Sequence, residues 1–320
     1  MKYWWTRPLV RLLAALALPL AVPGIITSMI WALPGDPAEI ICPPELCAGT
    51  SALAARWNLD GGPWKFYSGW VESAVHGEFG NSWRYLTGLP VGDLLVGAVP
   101  TTAILLAAGM VPVVVAAIAG ASGRVPNKVA PLFGVFGLVP AVVLALLMAA
   151  VVELRLGAES FDAEGERLRI LAGALVLGFA DGAFSDTLAG VGALFAGERK
   201  QRYVQIAQLR GERPLANMLP NLTPTLVGQM RARTLQLLSG TVVVEVVLRI
   251  DGVGDLLWNG TLLQDFGVVI AAATTYAMFS AVLLAFQAFI EVAVALWVRR
   301  APGLVGRSSR ALTAEAGSAA

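Results

Sequence analysis

Five charged side chains interrupt the long apolar stretches of this sequence, where packing alone does not explain them. They are Asp181, Asp186, Arg231, Arg233 and Glu245. Charge inside a lipid bilayer is costly, so ionisable residues in such stretches usually face a polar path or one another. The set therefore indicates a route for a polar solute or an ion.

Each of these residues also has an ordinary structural alternative. Asp181 and Asp186 are five positions apart and do not share a helix face, so at most one of them faces a path directly. Arg231 and Arg233 could reach water by snorkelling from one end of their helix. Opposite charge at similar depth gives the hypothesis that Asp186 pairs with one of the two arginines.

The elements that position these residues are predicted to be membrane-spanning helices. Hydrophobic residues make up 57% of the chain and charged residues 14%, with a mean hydropathy of +0.70, which is far too apolar for a soluble domain of this length. Stretches of about 20 apolar residues can cross a bilayer, and only helices satisfy their own backbone there. We expect an all-α polytopic membrane protein with six spans, at residues 12–31, 97–121, 129–152, 170–196, 222–248 and 267–298.

Basic residues predict the orientation of these spans. Lysines and arginines collect before the first span, between the second and third, between the fourth and fifth, and after the sixth. The positive-inside rule then places both termini in the cytoplasm. Segments 33–96, 153–169 and 249–266 would lie outside.

The outer segment 33–96 has two features of its own. An amphipathic helix with aromatic residues is predicted over residues 64–76, either lying on the membrane surface or packed in a small outer subdomain. Cys42 and Cys47 would form a disulfide in an oxidising compartment, or remain as two thiols. A metal site is not expected, because His76 is the only histidine.

The inner segment 198–221 is polar and basic, and it separates two long apolar stretches. A short helix is predicted over residues 202–210, with Val204, Ala207 and Leu209 on one side. Gly211 would turn the chain at the end of this helix. Three prolines, Pro214, Pro220 and Pro224, are expected to prevent one continuous helix beyond it. The tail 301–320 has no apolar pattern and is expected to be disordered.

Motifs for catalysis or nucleotide binding are missing from the sequence. No G-x-x-x-x-G-K-[ST], H-E-x-x-H or G-x-S-x-G occurs. We expect a protein that is not an enzyme, has no catalytic residues and binds no cofactor itself.

Several short motifs, in order, give the sequence a resemblance to a known family. They include LPGDPA after the first span, GEFGNS at residues 77–82, SGTVVVE ending at Glu245, and DGVGDLL at residues 251–257. Over residues 5–300 the chain resembles the inner-membrane permease of dipeptide, oligopeptide and nickel ABC importers, specifically the first of the two permease subunits. The resemblance implies a type I permease domain over residues 1–300. It also matches Glu245 to a family glutamate, whose ordinary role would be a hydrogen bond to the turn at 252–254.

The same resemblance implies that segment 198–221 is a coupling loop for an ATPase. The residues that match the family pattern are Tyr203, Gln205, Ile206, Ala207, Gly211, Leu219 and Pro220. The chain departs from the pattern in having Gln205 in place of glutamate and the bulkier Ile206 in place of alanine. The gap after Gly211 is about four residues shorter, which removes roughly 6 Å of helix. This indicates a coupling loop matched to a particular ATPase or, alternatively, a subunit with weakened coupling.

The partners and cycle also follow from the resemblance alone. They are a homologous second permease, two cytoplasmic ATPase subunits that use ATP, and an extracytoplasmic substrate-binding protein, assembled in a bacterial inner membrane. The translocated solute would be a peptide or a related small molecule. Two other classes stay open: a secondary transporter or channel working alone, suggested by Asp181 and Asp186, and a membrane scaffold that transports nothing.

Overall fold

The computed structural model describes residues 6–35, 37–41, 54–55, 57–123, 130–156 and 163–300. The regular elements within these ranges are helices, with no strand among them, which confirms the predicted all-α class. Cys42, Cys47 and the tail 301–320 lie outside the described residues.

The helices follow one another along the chain with short connections. They are α1 (Thr6–Ala32), α2 (Pro37–Ile41), α3 (Gly62–Val75), α4 (Val91–Ser122), α5 (Ala130–Gly137), α6 (Ala141–Leu156), α7 (Ala163–Phe179), α8 (Ala183–Arg199), α9 (Arg202–Leu209), α10 (Pro214–Leu248), α11 (Val253–Leu262) and α12 (Phe266–Arg300). Short 3-10 turns, Leu59–Gly61 and Ala180–Gly182, precede α3 and α8.

Four helical segments are long and apolar enough to cross a membrane. They are Pro8–Ala32, Val91–Ser122, Glu164–Arg199 and Phe266–Trp297. These correspond to four of the six predicted spans. Of the other two, stretch 129–152 is divided between α5 and α6, and stretch 222–248 lies in α10, where Arg231 and Arg233 lower the hydropathy.

The long helix α10 runs without interruption for 35 residues and contains two internal prolines. The prediction that Pro214, Pro220 and Pro224 prevent one continuous helix is wrong. Pro214 lies in the first turn, where its missing N–H has no intrahelical partner to lose. Pro220 and Pro224 each remove one backbone hydrogen bond, but Met218 and Leu222 beside them are almost fully buried and hold the helix by packing.

The main core lies where α4, α7 and α10 meet, with α6 and α8 at its sides. Leu105, Val113, Val176, Leu237 and Val244 are all nearly inaccessible to solvent in it. Close van der Waals packing of such side chains holds helices together in a bilayer as well as in water. This core fixes the relative position of the helices that carry the charged residues.

The pair α1 and α12 is peripheral to that core. Each helix makes its longest contact with the other, and only 11% of the apolar window in each is buried. Near one end of the pair, Arg11 forms an ion pair with Glu291, and Gln287 donates a hydrogen bond to Glu291 at 3.2 Å. The large exposed apolar surface of this pair suits a lipid environment or a partner helix.

A second, smaller cluster of aromatic side chains forms around α3. Trp57 stacks on Trp83 at 4.5 Å, and Phe66 contacts Trp83 edge-on at 6.2 Å. The Tyr67 hydroxyl donates to the Leu20 carbonyl of α1 at 3.0 Å. The predicted amphipathic helix is therefore packed into this cluster on one side, while its Trp64 is 76% exposed.

Candidate functional site

The helix predicted for residues 202–210 is present as α9, and it ends in a Schellman motif. Gly211 has a φ of +74°, a left-handed conformation that glycine adopts without strain. The Glu212 N–H donates to the Ala207 carbonyl at 3.0 Å, and the Gly211 N–H donates to the Gln208 carbonyl at 3.0 Å. These two bonds close the last turn and reverse the chain toward α10.

One side of α9 is fixed to the rest of the molecule. Val204 is fully buried in a cluster with Phe195 of α8 and with Met218 and Leu222 of α10. Ala207, one turn later, is 6% exposed. Because these contacts come from two different long helices, α9 cannot move independently of them.

Tyr203 adds a polar clamp to the same junction. Its hydroxyl donates to the Glu198 carboxylate of α8 and accepts a hydrogen bond from Asn221 Nδ2 of α10 at 3.0 Å. Burial and then the hydrogen bond to Glu198 raise the pKa of Tyr203 to about 12. The hydroxyl therefore keeps its proton at neutral pH and continues to donate to Glu198.

The other side of α9 and the start of α10 expose large apolar side chains. Leu209 is 88% exposed, Leu215 55%, Ile206 48% and Leu219 45%. The prediction that Leu209 shares a side with Val204 is wrong. At 100° per residue, five positions place Leu209 about 140° away from Val204 around the helix.

The remaining residues of the predicted coupling pattern have simpler surroundings. Gln205 is exposed, and its Nε2 donates to the Lys200 carbonyl at 3.3 Å. Pro220 is buried within α10. Only Glu212 and Arg213 separate Gly211 from the first residue of α10. Exposed arginines surround the apolar side chains, at positions 202, 210 and 213.

Two helix breaks meet in the middle of the fold, one at residues 138–140 between α5 and α6, the other at 180–182 between α7 and α8. The Asp181 N–H donates to the Val139 carbonyl at 3.2 Å. The Ala141 N–H donates in return to Asp181 Oδ1 at 3.2 Å. Each break thus satisfies a backbone group that the other leaves without an intrahelical partner.

The break at Asp181 has an unusual backbone. Asp181 has a φ of +50° and Gly182 a φ of +73°, so two consecutive residues are left-handed. Aspartate tolerates this region better than most residues, though at some cost. Gln236 of α10 supports the break by donating from Nε2 to the Asp181 carbonyl at 2.9 Å.

A polar cavity of about 360 Å³ lies between α8 and α10, next to this break. Asp186, Gln229, Arg233 and Gln236 are among its lining residues. Arg233 Nη1 donates to Gln236 Oε1 at 2.7 Å, while Arg233 Nη2 lies 3.4 Å from Asp186 Oδ2. The hypothesis that Asp186 pairs with an arginine is therefore confirmed for Arg233. The 3.4 Å separation exceeds the 2.7–2.9 Å or so of a closed charge-assisted bond, which leaves both charges open to the cavity.

Arg231 is not part of this pair. It does not line the cavity, and its Nε is buried without a hydrogen-bond partner among the described residues. The five charged residues thus separate into three groups. Asp186 and Arg233 line the cavity, Asp181 joins the helix breaks, and Arg231 and Glu245 lie elsewhere.

Glu245 is fully buried at the end of α10 and caps α11. Its carboxylate accepts hydrogen bonds from the Gly254 N–H at 2.6 Å, the Thr102 hydroxyl at 2.7 Å and the Asp255 N–H at 3.3 Å. Thr102 in turn accepts from the Val253 N–H at 2.8 Å. The hydrogen bond to the 252–254 turn that the sequence suggested is confirmed, and it links α4, α10 and α11.

Asp265 is an important polar residue that sequence reasoning missed. It is fully buried before α12, and its Oδ2 accepts the Ser82 hydroxyl at 2.6 Å and the N–H groups of Trp83, Arg84 and Tyr85 at 2.8–2.9 Å. Burial acts to raise the pKa of Asp265, but these hydrogen bonds together outweigh it and lower the pKa below its ordinary value. Ser82 in the GEFGNS motif was the one available signal.

The chain matches no model of a known protein family, and no curated protein matches its sequence.

Proposed function

We propose that this chain is the membrane-embedded permease subunit of an ATP-binding-cassette importer, with separate subunits supplying the ATPase. The observation that carries the proposal is α9. It is a short helix fixed rigidly on one side, while its other side is apolar and has no partner among the residues that the structure describes. A helix of this kind can insert into a groove of a partner and pass on its rigid-body motion.

The exposed side of α9 defines the chemistry of the proposed contact. Ile206 and Leu209 would enter an apolar groove on the ATPase, with Leu215 and Leu219 of α10 extending the contact. The neighbouring arginines would meet an acidic rim, since charge complementarity steers association. The contact residues are therefore partly those of the family pattern and partly Leu209 and Leu215, which lie outside it.

The short connection between α9 and α10 favours an adapted coupling loop over a degenerate one. With two residues between Gly211 and α10, little flexible chain is available to absorb a displacement of α9. The Schellman motif and the Tyr203 clamp restrict the junction further. A push on α9 would therefore be transmitted directly along α10, the helix that carries Arg233.

The membrane arrangement that we propose has six crossings with both termini in the cytoplasm, in a bacterial inner membrane. Four crossings are the long apolar helices, the fifth is the α5–α6 pair, and the sixth is α10. A broken helix is tolerated at membrane depth when neighbouring protein satisfies its backbone, as Asp181 does for α6. Half-buried polar residues on α10 are tolerated if they face a second permease subunit or a water-filled path.

The polar cavity between α8 and α10 is the proposed part of the translocation path in this subunit. A homologous permease would supply the other wall, and an extracytoplasmic binding protein would deliver a peptide or related small solute. Two ATPase subunits would bind and hydrolyse ATP. The Asp186–Arg233 pair offers both charges to a passing solute.

The test is co-purification from native membranes with point variants of α9. The double variant Ile206→Glu and Leu209→Glu places two charges in the proposed groove without touching the buried side. We expect it to lose the ATPase while keeping the second permease. The control Gln208→Glu adds a charge to the same helix at a polar, exposed position and should retain the ATPase. If the unaltered chain captures no ATPase, the proposal is wrong.

One observation favours a second candidate, a transporter driven by an ion gradient. Discontinuous helices with acidic residues near their breaks form the ion sites of many such proteins. The breaks here lie in consecutive helices, and the sequence has no evident repeat that would relate them. Uptake by the purified chain alone in vesicles, driven by a proton or sodium gradient and without ATP, would establish this alternative.

A further inference from the structure

A cavity of about 400 Å³ lies within the aromatic cluster around α3, at the start of α12. Phe66, Trp70, Phe79 and Trp83 line it, together with the fully buried Ile270. None of its lining residues contributes to the cavity between α8 and α10. Sites for small ligands typically have volumes of about 300–1,000 Å³, apolar walls and a few polar groups.

Polar side chains line the opening of this cavity. Asn58, Lys65, Glu72 and Asn81 are exposed there, and their side chains form no hydrogen bonds with the described part of the chain. Lys65 and the two asparagine amides can donate hydrogen bonds to a bound molecule, and Glu72 can accept them.

Gly69 gives the cavity its depth. It lies on α3 between Lys65 and Glu72, at positions that share one face of the helix. A Cβ at Gly69 would have no atom within 4 Å. The helix therefore has no side chain filling the space at this point. Lys65 provides a positive charge one turn before it, and Glu72 provides a negative charge one turn after it.

We propose that this cavity is a binding site for a small organic molecule with an apolar or aromatic body and a carbonyl or carboxylate acceptor. The body would lie against the aromatic side chains, and the acceptor would receive hydrogen bonds from Lys65 and the two asparagine amides at the opening. Binding at this site does not require an ATPase, so this proposal can be tested independently of the proposed transport function.

The experiment uses the purified full chain in detergent, with N-acetyl-phenylalaninamide as the probe and tryptophan fluorescence as the readout. We expect a saturable change with a Kd on the order of 1 mM, from the affinity per atom that is usual for a ligand of this size. N-acetylglycinamide, which has the same acceptors but no aromatic body, should give no change at these concentrations.

Two pairs of variants identify the site. Gly69→Leu fills the cavity with a residue that favours helix, so it should fold and abolish saturable binding; Ser68→Leu, its exposed neighbour, should bind normally. Lys65→Met removes the charged donor at the opening and should weaken binding about fivefold, while Glu78→Gln, at an exposed charged residue that does not line the cavity, should not. A signal that never saturates, or saturable binding that survives in folded Gly69→Leu, overturns the proposal.

Discussion

Replacing Asp265 with asparagine should loosen the turn at residues 82–85 more than any other single polar change in that part of the molecule. The carboxylate accepts five hydrogen bonds, four at Oδ2 and one at Oδ1 from the Val268 N–H at 3.2 Å. A bond to a charged acceptor is worth about 1 kcal/mol more than a bond to a neutral one. The substitution loses this difference at each of the four bonds to Oδ2. Because neighbouring bonds are not additive, the total loss in the local stability of the turn is about 3 kcal/mol.

Amide hydrogen exchange measures this loss directly, because the N–H groups of Trp83, Arg84 and Tyr85 are themselves the donors. A decrease of about 3 kcal/mol in the opening free energy speeds their exchange about 100-fold. The matched control is Asp251→Asn, an exposed aspartate in segment 249–266, which also contains Asp265. If exchange in Asp265→Asn rises less than threefold, or if the control has the same effect, the reasoning is refuted.

The same bonds predict a dependence on pH with a definite sign. Because the pKa of folded Asp265 is lowered, the carboxylate contributes its full stabilisation above the ordinary carboxyl pKa of about 4. Protection of the turn should be constant from pH 8 to about pH 5. It should fall as pH drops through the lowered pKa, and Asp265→Asn should abolish that part of the acid response.

Three further predictions concern the junctions around α8, α9 and α10. Gly211→Ala places a Cβ on a residue in the left-handed conformation and should destabilise α9 by about 1 kcal/mol. The control Gly197→Ala lies inside α8, where a Cβ would meet no other atom, and it should be neutral or stabilising. Thermal unfolding of the two variants measures the difference. Tyr203→Phe removes the hydroxyl that joins three helices and should speed amide exchange in α9 about tenfold, and unchanged protection would mean that the clamp contributes nothing. Asp186→Arg and Arg233→Asp should each lower the unfolding free energy, and the double swap should recover up to about 1 kcal/mol; a double swap no better than the sum of the singles contradicts the pairing.

Local sequence patterns were sufficient for α9 and its end. The spacing of Val204 and Ala207 and the glycine at 211 predicted a short helix and a turn, and both are present. Leu209 was assigned to the wrong side because an eight-residue helix contains too few turns to establish its apolar face from sequence. Only the two flanking helices, which bury Val204, decide which side faces inward.

The long-range polar contacts could not be predicted from composition. Asp181 bonds to a backbone 40 residues earlier, and Asp265 bonds to Ser82 at a separation of 183 residues. In each case the sequence gives the aspartate but not its donors, because all of them except the Ser82 hydroxyl are backbone N–H groups that any residue provides. The hydrogen bond of Glu245 could be predicted from the sequence, because the turn that donates it follows within nine residues.

The prolines did not interrupt α10 as predicted, and the reason is energetic. A proline inside a helix costs about 3 kcal/mol, which ends an isolated helix. Met218 and Leu222 lie on either side of Pro220 and are almost fully buried, and packing of two such side chains offsets a cost of that size. Tertiary burial, which the local pattern does not contain, decided the course of α10.

The reciprocal bonds at the two helix breaks have a consequence for biogenesis in the proposed membrane setting. The ribosome completes α5 and α6 before Asp181 is synthesised, so the Ala141 N–H and the Val139 carbonyl first emerge without partners. Each unsatisfied backbone group costs several kcal/mol in a hydrocarbon environment. The α5–α6 pair should therefore wait beside the insertion machinery until α7 and α8 arrive, and the four helices should enter the bilayer together. An early stop in translation between residues 157 and 180 would leave a chain whose α5–α6 pair engages the membrane but does not integrate, although α1 and α4 do.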